Sequence, residues 1–118
     1  MKYIKLFESF DKFKIDNDIH GLLVELYDKN FHCTVNVITK ESVFVKISKN
    51  DMVDLFQYKE VKDYIAIIAD YLEYELKANI KMDYYSELLR RRKSTATYTH
   101  EPDDDSKINR ISIMFRNV

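Results

Sequence analysis

Residues 31–48 read FHCTVNVITKESVFVKIS, two runs that alternate with period two across a short polar link. In the first run Phe31, Cys33, Val35 and Val37 share one face, and His32, Thr34 and Asn36 share the other. Successive side chains of a strand point to opposite sides, so the pattern describes a strand that is apolar on one side only. Thr39-Lys40-Glu41-Ser42 is the polar turn, and Val43 to Ser48 alternates again. Two such runs joined so closely predict an antiparallel hairpin.

On either side of this hairpin the period changes to that of a helix. Upstream, Ile19, Leu22, Leu23 and Leu26 form an apolar stripe, and Asp16-Asn17-Asp18 offers N-cap side chains. A helix is expected over about 17–29. Downstream, Val61, Ile65, Ile68, Leu72 and Leu76 recur at helical spacing with Lys and Glu opposite. A second helix is expected over about 59–78. Residues 79–93 read two ways. Ile80, Met82 and Tyr84 alternate as in a strand, whereas Tyr84, Tyr85, Leu88 and Leu89 repeat as in a helix. We read a strand over 80–86 and an irregular basic stretch after it. Residues 94–100 alternate and are rich in threonine, and Glu101–Ser106 has the composition of a turn. A last strand then places Ile111, Ile113 and Phe115 on one face, with Arg110, Ser112, Met114 and Arg116 on the other.

These elements predict an α+β domain. Its sheet is mostly antiparallel, of four or five strands, with two helices on its single apolar face. The α-β-β-α-β-β order is also that of a circularly permuted ferredoxin-like fold. Residues 1–15 are expected to form a short amphipathic segment and 16–118 a single domain, a length sufficient for one core. An edge strand such as 107–116 is open to pairing with a copy of itself.

Composition excludes several activities. Gly21 and Pro102 are the only glycine and proline. Phosphate-cradling loops need several glycines, so a Walker loop, a dinucleotide fingerprint and a kinase loop are ruled out. A single cysteine cannot form an internal disulfide and fits a reducing compartment. No apolar run approaches the ~20 residues that span a bilayer, and the start of the chain has no secretory pattern. The protein is therefore expected in a reducing compartment, not secreted and not in a membrane. His32 and Cys33 are sequence neighbours on a strand and face opposite ways, and no C-x-x-C or H-x-x-x-H spacing occurs. No metal, cofactor or catalytic residue is expected.

Two surfaces remain. The uncovered sheet face should show His32, Thr34, Asn36, Phe44, Lys46, Thr95, Thr97, Thr99, Arg110, Ser112, Met114 and Arg116. Cations beside a ring are the materials of a single-strand nucleic-acid platform. One ring is few for such a platform, and a solvated face is the plainer reading. The basic run Arg90-Arg91-Arg92-Lys93 could grip phosphates. The plainer reading is that it lies near Asp103-Asp104-Asp105 and is partly neutralised. At the start of the chain, Tyr3, Phe7 and Phe10 fall at helical spacing and form a candidate protein-docking stripe.

The opening Met1-Lys2-Tyr3-Ile4-Lys5-Leu6-Phe7-Glu8-Ser9-Phe10 resembles the N-terminal segment shared by small proteins of large tailed phages. In those, a Met-Lys start leads through aromatic and aliphatic residues to Phe-Glu-x-Phe. The helix opened by Val61-Lys62-Asp63-Tyr64-Ile65 is similar to ones in such proteins. The resemblance implies a non-enzymatic accessory or virion-associated protein, in the host-cell cytoplasm or the virion, that acts by binding protein, whether a copy of itself or a virion or host component. The residue-level alternative is a module for single-stranded nucleic acid or nucleotide, with nucleic acid the less favoured partner.

Overall fold

A computed structural model describes residues 12–39, 41–51, 54–88 and 95–118. Two helices come first, α1 (Lys12–Leu22) and the single turn α2 (Val24–Asp28). The hairpin β1 (Phe31–Thr39) and β2 (Ser42–Lys49) follows. A two-residue strand β3 (Phe56–Gln57) and a 3-10 turn (Tyr58–Glu60) lead into α3 (Lys62–Leu76). The chain continues through β4 (Ile80–Leu88), β5 (Thr95–Thr99), β6 (Lys107–Ile108) and β7 (Arg110–Asn117).

The main sheet is antiparallel with five strands in the order β1-β2-β7-β4-β5, and β3 and β6 form a separate two-stranded ribbon. One side of the main sheet is apolar. The rows Val35–Val45–Ile113–Tyr84 and Cys33–Ile47–Ile111–Ser86 cross it from β1 to β4. Ile15 and Ile19 of α1 and Ile65, Ile68, Ala69 and Leu72 of α3 pack into the same buried cluster. Ile65, Ile68 and Leu72 recur at three and four residues, which puts them on one helical stripe. Each contributes roughly 1.5–3 kcal/mol by leaving water. The ribbon closes one end of the core, where Phe56 meets Phe31 edge-on at 5.1 Å between ring centroids.

The first helix begins earlier than the cap residues suggested. Asp16, Asn17 and Asp18 lie inside α1, and Asp18 serves tertiary packing: it accepts a 2.5 Å hydrogen bond from the Tyr71 hydroxyl of α3. The helical stretch also breaks at Leu23, whose N–H is shared by the carbonyls of Ile19 and His20, both at 3.1 Å. With so little glycine, other residues supply the left-handed backbone. Asn30 (φ 68°) turns the chain from α2 into β1, and Lys77 (φ 55°) ends α3.

Two expectations about the sheet are corrected. The segment 107–116 is not an edge: β7 lies between β2 and β4, so the outer strands are β1 and β5. The phase of β5 is also reversed. Thr99 pairs with Tyr84, Thr97 with Ser86 and Thr95 with Leu88, which places these threonines in the rows of the core face. Tyr98 and Ala96 stand in the rows of the open face, opposite Tyr85 and Glu87. Alternation alone gives a strand's two sets of residues but not which set faces the core.

Candidate functional site

The open side of the sheet is set by the same register. Asn36, Phe44, Met114 and Asp83 form one cross-strand row. Thr34, Lys46, Ser112 and Tyr85 form the next, and His32, Ser48, Arg110 and Glu87 the third. Phe44, Lys46 and Arg110 are thus brought onto one surface as expected, with Arg116 at its margin. Tyr85, Asp83 and Glu87 were missed. Reading Ile80, Met82 and Tyr84 as core-facing already sets the odd-numbered residues of β4 outward, so the signal was present.

The missed carboxylates change the chemistry of this face. Arg110 is ion-paired with Glu87 across the β4–β7 pair, and Arg116 Nε lies 2.5 Å from Asp83 Oδ2. Two of the three cations expected on this face are thereby engaged by acids on the same surface. Cross-strand opposite charges stabilise the sheet, and an arginine held by a carboxylate is less open to a phosphate. Lys46 has no ion-pair partner among the described residues.

Arg90, Arg91, Arg92 and Lys93 lie outside the described residues, as do Tyr3, Phe7 and Phe10. Among the described residues the acidic loop pairs with lysines at the start of α3 and in the turn before it. Asp104 Oδ1 is 2.9 Å from Lys62 Nζ, and Asp105 Oδ1 is 3.5 Å from Lys59 Nζ. The loop is also tied down by the Tyr58 hydroxyl, which donates to Glu101 Oε2 at 2.7 Å. Among the described residues no cluster of three or more metal-ligating side chains occurs. Cys33 is buried, and burial pushes its thiol up to about 12, so at neutral pH it is a protonated core residue.

The second surface is the edge of β1, which no other strand covers among the described residues. A groove of about 410 Å³ runs beside it, lined by Lys12, Phe13 and Asp16 of α1 and by Val35, Asn36 and Val37. Phe13 is 82% exposed and Ile38, near the end of the strand, 46%. The Asn50 N–H donates to the Asn30 carbonyl at 2.9 Å, one step beyond the Phe31–Lys49 pair. In an antiparallel ladder, hydrogen-bonded and non-bonded pairs alternate. The even-numbered residues of β1 therefore exchange bonds with β2, and the N–H and C=O groups of Val35 and Val37 point away from the sheet. The backbone groups of Cys33 also point outward, while its side chain is buried, and its carbonyl accepts a 3.4 Å bond from the Tyr27 hydroxyl.

Sequence comparison adds no relative. No protein-family model, no curated protein and no solved structure matches this chain. The site must be read from its own geometry. Sheet edges are normally guarded by charge, proline or shortness. From Phe31 to Thr39 β1 has no charged residue and no proline, and it is nine residues long against five for β5 at the other edge. The lack of charge was visible in the sequence. That β1 is an edge, and that α1 leaves a groove beside it, required the fold.

Proposed function

We propose that this domain is a non-enzymatic protein-binding module that takes an extended segment of a partner as an added strand along β1. The observation that carries this reading is the edge itself, uncovered among the described residues: outward N–H and C=O groups at Val35 and Val37 beside a groove with an exposed phenylalanine. Main-chain hydrogen bonds would give affinity, and the groove would select alternate side chains of the partner. The opening residues 1–10 support assigning the module to the small accessory or virion-associated proteins of tailed phages. The sheet order is also consistent with the permuted ferredoxin-like reading. With β5 and the β3–β6 ribbon set aside, the last strand lies between β2 of the first hairpin and β4.

Selection from a random peptide library, followed by amide shift mapping, tests the binding reading. Enriched peptides should alternate apolar and polar residues and shift the Val35 and Val37 amides, and Asn36→Lys should weaken them at least tenfold. Peptides that bind only elsewhere, or binding indifferent to Asn36→Lys, would remove it. The phage assignment is tested by partition of the chain, with and without residues 1–11, into purified particles.

One observation keeps the nucleic-acid reading as a second. Tyr85 joins Phe44 and Lys46 on the open face, so more than one ring stands beside an unmatched cation. Fluorescence anisotropy with a single-stranded oligonucleotide at low salt checks it. Binding abolished by Lys46→Glu would favour this reading, and no binding at low salt would dispose of it.

A further inference from the structure

We propose that the strand added along β1 is β1 of a second copy of this chain, giving a twofold dimer with one continuous ten-stranded sheet. The inference rests on the strand-addition reading above and names its partner.

Three observations point to self-pairing. First, β1 carries no charge, so antiparallel pairing of two copies opposes no like charges in any register, whereas like charges directly opposite are destabilising. A partner recognised by charge would have left acidic or basic residues on this strand. Second, the alternation is self-matching. Cys33, Val35 and Val37 face the core side, and His32, Thr34 and Asn36 the open side. A twofold axis perpendicular to the sheet keeps the core sides of both copies together, so apolar residues meet apolar and polar meet polar. Such an isologous contact closes on itself and stops at two.

Third, the groove wall is complementary to itself. Lys12 and Asp16 stand one helical turn apart on the side of α1 that lines the groove, with Phe13 between them. The axis that makes the two β1 strands antiparallel also makes the two α1 helices antiparallel. With the axis centred between these two positions, Lys12 of each copy faces Asp16 of the other, whose Oδ1 also lies 3.6 Å from His20 Nε2 of its own helix, and the two exposed Phe13 rings are brought into one shared apolar patch. The same ion pairs cannot form with a partner that lacks this arrangement.

Sedimentation equilibrium over a wide concentration range, with hydrogen exchange on the same samples, tests the inference. We expect twice the monomer mass at high concentration, with Val35 and Val37 amides protected only in the dimer. Asn36→Lys should raise the dimer dissociation constant at least tenfold, as should Asp16→Lys, which leaves two cations facing two. The double exchange Lys12→Asp with Asp16→Lys should restore the dimer. Both positions are on the surface, so circular dichroism should show unchanged folding. A monomer at every concentration overturns the inference, as does a dimer indifferent to Asn36→Lys. A monomer that still binds library peptides along β1 sinks the self-pairing and leaves the strand-addition reading standing; failure of both removes both.

Discussion

Gly21 sits in α1 with a solvent-facing Cα, and a methyl group built on it would meet nothing within 4 Å. Its φ is not positive, so the backbone makes no use of its freedom. Gly21→Ala should therefore stabilise the fold by about 1 kcal/mol, the difference in helix propensity, read as a higher denaturant midpoint with an unchanged slope. Lys77 is the converse case, a residue with a side chain held at φ 55°. Lys77→Gly relieves the left-handed backbone, at the loss of an exposed cation–π contact with Tyr74 at 4.7 Å. A net gain of roughly 0.5–1 kcal/mol is expected in the same measurement. Cys33 gives a kinetic readout. Because its thiol is buried and raised to about 12, a thiol reagent at pH 8 should label it only as fast as the protein opens. Prompt labelling of the native protein would contradict the burial.

Between elements, α1 and α3 are joined by a small polar cluster. Tyr71 donates to Asp18, and Lys14 reaches Asp18 at 3.0 Å and Glu75 at 3.1 Å. The Tyr71 hydroxyl, and after it Lys14, hold the Asp18 carboxyl below its usual range. A carboxyl whose folded pKa is depressed contributes stability above its unfolded value, near 3.9. That contribution is lost as pH falls through the lower folded value. Asp18→Asn should thus be less stable than the parent at neutral pH, and the gap should narrow below about pH 4. At the far end of α3, Tyr58→Phe removes the hydrogen bond to Glu101 from a buried ring. A loss of about 1 kcal/mol is expected from denaturation curves. These ties explain what was legible at this scale and what was not. The stripe Val61–Leu76 and the 31–48 alternation each follow from local periodicity, so α3 and the β1–β2 hairpin could be read directly. The start of α1 could not, because Asp18 was taken for a cap when its real partner is 53 residues away.

For the molecule as a whole, fold class was readable and neighbour relations were not. A sheet with one greasy side follows from alternation and helix stripes. The insertion of β7 between β2 and β4 depends on pairings such as Val45–Ile113 and Tyr84–Ile113, which no local pattern encodes. That placement decided which strand is an edge, and so moved the candidate surface from 107–116 to β1. The open face changed for a related reason: once β4 was placed beside β7, Glu87 and Asp83 met Arg110 and Arg116, and a face expected to be basic became mixed.

The position of β7 has a bearing on how the protein comes into being. During synthesis the two flanking hairpins emerge first, and no strand pairing joins them until the strand between them has left the ribosome. Each is then a half-sheet with a bare inner margin and a wet core, the kind of species that chaperones attend and that clumps when crowded. Folding of this domain is therefore expected to be a late, nearly single event on the nascent chain, not a stepwise one.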